Sequence, residues 1–565
     1  MLSWESIRDQ KQAQRASKIL PEWRIPQEKL ASFGDLGAIE FVEKSGILTD
    51  RELEITSWTA VEVLKRVHAG EITAYEVTKA ICHRAAIAQQ ISNCLTEIFF
   101  DEALERAKEL DSQFSSNGGK PVGPLHGLPI SIKDLFNVPG YDSTIGLIAW
   151  ANQPAKEWAV PCKILLDAGA ILYCKTNIPQ IMMTFEGWNP VWDRSKNPYN
   201  LTLTSGGSSG GESALVALRG SFLGVGTDLG GSVRIPAGFC GLWSLRPSVG
   251  RISRKGGRAL TLGCPGGIYG VQGPMANSLE DLEMYTRVMV NSNQSLDDPD
   301  VIPIPYRSIQ LPKKLKFGYY TSNGLARPVP PIERSVLETV SAVKAAGHEV
   351  VEFNCFEISK LLGLVYALWT ADGQIALRDI MKISGEPADE YISNPFLRFG
   401  SDEPVFQEPY PDEAVAEVAK WEKGHLTVSQ LWELTLERDN FKSRYLEYLN
   451  SLGIDAIICP IMAVPAVPHD TGRDLMATLT YTMLYSLLDY SATTIPVSKV
   501  KPSDAPLPSD YAFANQFERK IHEIYTPERF ANAPLSVQIV CRRLEEEKVI
   551  EITKVVRSCL EAGKA

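Results

Sequence analysis

The sequence predicts an α/β protein: a large mixed, twisted β-sheet covered by helices on both faces. Three observations predict it. Short apolar, β-branched runs alternate with helical stretches over roughly 500 residues. Many of those runs are apolar throughout, as strands buried on both faces are. No shift in composition divides the alternating region into independent sheets.

Residues 1–55 are polar and proline-interrupted, and are expected to form an extension packed on a single domain over 56–565. Thr73 to Glu76 (TAYE) reads as a capping box ahead of the helical VTKAICHRAAIAQQ. Asp101 is placed to cap EALERAKEL. The period then changes: LPISIK (128–133) alternates as a short strand ending at Lys133. CKILLDAGA reads as a helix closed by Gly169, and ILYCK (171–175) and LGVGTD (223–228) as the next strands. LKFGYY (315–320), a helix over 331–346 and EVVEF (349–353) make a β-α-β unit. IDAIICP (454–460), TTIPV (493–497) and LSVQIV (535–540) are further buried strands, and EEKVIEITKVVRSCLEA is a closing amphipathic helix.

Composition removes several classes of function. The net charge of −11 over 565 residues makes nucleic acid an unsuitable partner. No run of eighteen apolar residues exists to span a membrane, and the mixed-charge N-terminus lacks a signal-peptide core. The ten cysteines form no CxxC pair and read as reduced, buried residues of a cytoplasmic protein. The seven histidines fall in no ligand spacing, so neither a metal nor another cofactor is expected.

The stretch from Gly206 to Arg234, GGSSGGESALVALRGSFLGVGTDLGGSVR, holds nine glycines and five serines around apolar pieces. It is two tight turns separated by elements that pack, not a linker. A phosphate loop would need a lysine at fixed spacing, and none follows either glycine cluster. A dinucleotide fingerprint fails because Leu229 stands where the third glycine belongs. GxSxG occurs twice, centred on Ser208 and Ser209, which leaves open an esterase with a later Asp and His; His469 in Pro-His-Asp is the best placed of four candidates. The third reading joins the serines to Lys133. An isolated lysine at a strand end ordinarily snorkels to water. Turned inward, it becomes a base once burial lowers its pKa from about 10.4.

These segments resemble the amidase signature family. The glycine-serine signature matches over Gly206–Arg234, GPLHGLPISIKD resembles the segment bearing the family's catalytic lysine, and KTNIPQ, DYSATTIPV and APLSVQIVCRR follow in family order. The resemblance covers roughly residues 55–560 and is nearest the fungal acetamidase and general amidase branch. It implies a Ser–cis-Ser–Lys triad: Lys133 as base, Ser208 as bridge after a cis Gly207–Ser208 peptide, and Ser232, 24 positions later, as nucleophile. Ser209 takes a supporting place. Backbone N–H groups of Leu229, Gly230, Gly231 and Ser232 are expected to hold an oxyanion, with a helix beginning at Ser232. Thr227, Asp228 and Arg234 match residues that hold this loop, and Asp228 equally suits an N-cap. Met182 aligns with a position whose carbonyl faces the substrate nitrogen.

The implied activity is hydrolysis of small aliphatic or aryl amides through an acyl-serine. The alternatives are the histidine-dependent esterase and an inactive scaffold. Met183, Phe185 and Trp188 are expected to line the pocket, and Cys541 and Gly187–Trp188 are departures that could reshape it. The expected partners are an amide substrate and, beyond it, at most a second copy of the chain.

Overall fold

A computed structural model describes residues 2–31, 33, 37–260, 267–389, 411–420 and 425–563. Strands among them are β1 (Leu95–Ile98), β2 (Pro129–Lys133), β3 (Ile171–Thr176), β4 (Lys196–Asn197), β5 (Asn200–Thr204), β6 (Leu223–Asp228), β7 (Trp243–Arg246), β8 (Val271–Ala276), β9 (Lys316–Tyr319), β10 (Glu349–Glu352), β11 (Ala456–Pro460), β12 (Ala492–Lys499) and β13 (Pro534–Val540). One 11-stranded sheet runs β1-β3-β2-β6-β8-β7-β12-β13-β11-β9-β10, and β4 and β5 pair separately. The neighbours β3-β2-β6 are parallel, as are β11-β9-β10, and the rest are antiparallel. The mixed sheet is thus the predicted one.

Both faces of the sheet are buried, which explains the apolar runs. Along β11, Ala456 and Ile458 join a cluster with Val336, Val340, Val549 and Ile552 from helices Pro330–Ala345 and Glu546–Ala562. The alternate residues Ile457 and Cys459 join the larger cluster on the opposite face, with Ile235, Tyr481 and Leu484. Successive side chains of a strand point to opposite faces, so each layer takes every second residue.

The sequence reading passed over β1, β7 and β8. VQGPMA carries Gly273 and Pro274, which argue against a strand locally, yet β8 pairs along its full length with β6. Asp101 does not cap its helix. That helix is Phe100–Ser116 with Phe99 at the N-cap, and Asp101 sits in the first turn, where its charge still opposes the helix dipole. The TAYE box is half made. Thr73 accepts the Glu76 N–H at 3.1 Å, but the Glu76 carboxylate turns to Arg51 Nε at 2.9 Å.

The N-terminal residues dock by charge as well as by apolar contact. In helix Trp4–Ser17, Lys11 Nζ lies 2.6 Å from Glu97 Oε1 and 2.8 Å from Asp142 Oδ2. Arg15 donates to the carbonyl of Leu95 at 2.6 Å, and Trp23 stacks on His83 with ring centroids 5.4 Å apart. Lys11→Met leaves two enclosed carboxylates facing each other without their cation, and is expected to lower unfolding free energy by about 3 kcal/mol. Urea denaturation measures it; a loss below about 1 kcal/mol contradicts the docking described.

Candidate active site

β2 and β6 run side by side in parallel, with Ser131 opposite Gly224 and Ile132 opposite Val225. Their carboxyl ends, Lys133 and Asp228, therefore lie together, at the edge where open α/β sheets bind ligands. All five residues of β2 are buried. Its inward alternation puts Ser131 and Lys133 on one face, toward helix Gly210–Ala217, which packs across β2, β3 and β6. Lys133 is wholly enclosed and donates hydrogen bonds to Ser208 Oγ at 2.6 Å and Thr227 Oγ1 at 2.8 Å.

The charges around this amine are already committed. Burial pulls the Lys133 amine down to about 7, and the more distant Asp228, Glu212 and Asp134 offset only part of that. Burial would raise the Asp228 carboxyl, but Arg234 and Arg246 outweigh it and hold it at about 2. Arg234 Nε and Nη2 each reach an Asp228 oxygen at 3.0 Å. The Asp134 carboxylate accepts from Thr96, Thr144 and the Ile145 N–H, with the buried Lys175 ammonium at 3.8 Å. Burial pushes the Glu212 carboxyl up to about 8, so near neutral pH it carries little charge; it accepts from Ser131 Oγ at 2.5 Å. No carboxylate makes an ion pair with Lys133 among the described residues.

Two turns bring the hydroxyls in. Gly206 adopts φ 85°, and a Cβ there would stand 2.6 Å from Pro236 Cα, so only glycine fits. The Gly207–Ser208 peptide is cis. Ser208 is buried and Ser232 half-buried. Ser209 is spent on support: its hydroxyl exchanges hydrogen bonds with the N–H and carbonyl of Thr227 at 3.3 Å, and its N–H donates to the Ser232 carbonyl at 3.2 Å. The hydroxyls of Ser208 and Ser232 make no hydrogen bond to each other among the described residues. Thr227, expected to hold the loop, is found on the amine itself.

Of the two roles that the sequence left open, Asp228 takes the loop-holding one and is not the N-cap of the helix. Besides its arginines, it accepts the N–H groups of Gly231 at 2.8 Å, Val233 at 3.3 Å and Arg234 at 3.4 Å. The following helix accordingly runs Arg234–Phe239, with Val233 at its N-cap, and starts later than Ser232. Of the four N–H groups expected to converge, Gly231's is taken by Asp228. Those of Leu229, Gly230 and Ser232 have no acceptor among the described residues. Thr482, from helix Thr480–Leu488, fixes the Gly230 carbonyl at 2.5 Å, and Arg234 extends the brace to the Thr482 carbonyl, Ser486 and Gln538. Sequence reasoning missed Thr482, Ser486 and Gln538, because nothing local marks a partner some 250 to 300 residues away.

Ser232 opens on a small cavity of about 30 Å³ that is partly open to solvent. Met182, Met183 and Phe185 line it, together with Leu229, Ile235 and Trp369. The expected Trp188 is not in this lining; Trp369 and Leu479, which the sequence did not single out, are. Cys541 is also remote. It follows β13, its N–H donates to the Ser491 carbonyl, and its thiol lies 3.7 Å from the Asp455 carbonyl. Ile181 (φ 50°) and Met182 (φ 63°) both occupy the left-handed region, an unfavourable conformation for side chains of this size that concentrates at functional sites.

No imidazole hydrogen-bonds to Ser208, Ser209 or Ser232 among the described residues. His469 gives its Nε2 to the Leu201 carbonyl at 3.1 Å, and Asp470 pairs with Arg194 at 2.5 Å. The arrangement can therefore move a proton between hydroxyls and an amine that burial brings down to about 7, beside free N–H donors and an apolar cavity.

The chain matches known proteins over most or nearly all of its length. The Amidase family model matches residues 76–550. An acetamidase of Emericella nidulans is 35% identical over 578 residues, covering 99% of this chain and 98% of its own. Amidase FG08078 of Gibberella zeae is 34% identical over 579 residues, covering 99% and 100%. Among solved structures, a fatty acid amide hydrolase superposes with a TM-score of 0.87 at 30% identity, covering 98% of this chain and 95% of that one. The chain belongs to the amidase family, the amidase signature enzymes, and is a hydrolase acting on amides.

Proposed function

We propose that this enzyme hydrolyses small uncharged carboxylic amides through an acyl-Ser232 intermediate, with Lys133 as base and Ser208 as the proton bridge. The observation that carries the reading is the 2.6 Å contact between Ser208 and an enclosed amine that has no ion-pair partner among the described residues. A neutral amine takes the Ser208 proton along that contact as Ser208 takes the proton of Ser232. Ser232 Oγ bonds to the amide carbon, and the carbonyl oxygen gains the electron pair. The N–H groups of Leu229, Gly230 and Ser232 face that charge, while Gly231 serves by keeping Asp228 in place. The relay then returns a proton to the departing nitrogen, which leaves as ammonia or amine. Water attacks the acyl ester by the same route and frees the carboxylate. The Ser208–Ser232 contact forms as the amide settles in the cavity, a tightening common when unliganded sites bind substrate.

The apolar lining supports uncharged acyl groups, and the modest volume supports small ones. The strained Met182 backbone supports the reading that its carbonyl receives the substrate nitrogen. Thr227, Ser209 and Arg234 act as positioning residues.

A fluorophosphonate probe followed by peptide mass spectrometry is expected to label Ser232 alone. Labelling of Ser208 or Ser209, or of no serine, overturns the assignment. Lys133→Met removes the base while filling its space, and is expected to lower kcat about 10²–10⁴-fold with little change in KM. Near-normal kcat in the folded variant contradicts the role given to Lys133.

A further inference from the structure

Trp369 closes helix Ile358–Trp369 and lines the cavity on which Ser232 opens. Its Cη2 and Cζ2 atoms come within 3.1 and 3.2 Å of the point that a Cβ on Gly230 would occupy, so the benzenoid edge of the ring abuts the turn that carries Ser232. Neighbours fix the residue in place. Its ring packs beside Tyr366 with centroids 5.8 Å apart, and its carbonyl accepts from Gln374 Nε2 at 2.7 Å. Only 8% of the residue is exposed, so the indole is built into the wall and is not a surface flap.

The space left by this wall is small. A single water needs about 10–15 Å³ of cavity, so the 30 Å³ beside Ser232 takes about two or three atoms of chain. The other large side chains of the lining differ in stiffness. Met182 and Met183 are unbranched and adapt to a ligand, whereas an indole packed into a helix end has little such freedom. Extra methylenes forced against a rigid wall are unfavourable, and truncating the ring opens its volume to the substrate.

We propose that Trp369 is a specificity-determining residue that sets the upper length of the substrate's acyl chain, its indole filling the space that chains longer than about four carbons would need. This rests on the acyl-Ser232 reading. It also rests on the substrate nitrogen going to the Met182 carbonyl, which leaves the acyl chain the wall formed by Ile235, Trp369 and Leu479.

The kcat/KM profile of straight-chain amides from propionamide to hexanamide tests this, because their intrinsic reactivities differ little. The wild-type enzyme is expected to show a value at least about tenfold lower on hexanamide, and Trp369→Ala to raise the hexanamide-to-propionamide ratio about tenfold or more. Trp369→Leu, which keeps a smaller apolar side chain in place, is expected to raise it by less. A wild-type profile that is flat or rises with length overturns the proposal without recourse to any variant. So does an unchanged ratio in either folded variant. N-propylacetamide and N-hexylacetamide carry the same extra length on the nitrogen, and their ratio is expected to move less than about twofold in Trp369→Ala. A gain there in place of the acyl gain puts the ring on the amine side and overturns the proposal. Fluorophosphonate labelling of the wild-type enzyme separates the two readings. With Ser232 labelled, a failed length profile removes only the role given to Trp369; with Ser232 unlabelled, the acyl-serine reading falls and this one with it.

Discussion

An amine sealed from water at the end of a central strand, with every nearby carboxylate answered by something else, is the constraint on which this site depends. Desolvation disfavours the ammonium form, and only a close counter-charge could restore it. Asp228 is held by Arg234 and Arg246, and Asp134 by Lys175 and by hydroxyl and N–H donors. Glu212 is kept largely uncharged near neutral pH by its own burial. Lys133 is left with hydroxyl partners among the described residues, which is the setting that its proposed role as base requires.

The fold serves this arrangement. Parallel pairing of β2 with β6 sets Lys133 beside Thr227, and antiparallel pairing of β6 with β8 locks the strand that carries Thr227 and Asp228. Asp228 then ties together the end of β6, the second glycine turn and the start of helix Arg234–Phe239. Arg234 carries the tie on to helix Thr480–Leu488 and β13. The turn that presents Ser232 is therefore braced from the far half of the sheet, some 250 to 300 residues downstream. In the proposed mechanism such bracing would hold the N–H donors in place before the reaction, leaving little reorganisation when charge develops.

What was legible in the sequence follows the range of the forces involved. The strand ending at Lys133, the two glycine turns and the serines on them are local patterns, and the structure brings Lys133 and Ser208 into contact. The roles of Ser209 and Thr227 needed coordinates, because adjacent or similar hydroxyls are told apart only by what they touch. Asp101 and Glu76 carry reasonable capping chemistry, but one falls just inside the helix, past the N-cap, and the other finds an arginine. The cavity wall was read least well. In an apolar helix such as ISKLLGLVYALW, nothing in the pattern says which residue meets a cavity and which meets the core. Trp369 was missed for that reason, Trp188 was assigned to a wall it does not reach, and Cys541, read as a departure that could reshape the pocket, lies outside its lining.

The central claim concerns the protonation state of one side chain, so the most direct measurement is the pH dependence of kcat/KM for an uncharged amide. The Lys133 amine is depressed to about 7, charged below that value and neutral above it. Activity that needs the neutral form should rise with pH through a single ionisation near 7 and level off above it, and Lys133→Met should abolish that rise. A flat profile between about pH 5 and about pH 9, or a rise of the same midpoint retained without the amine, would contradict the account.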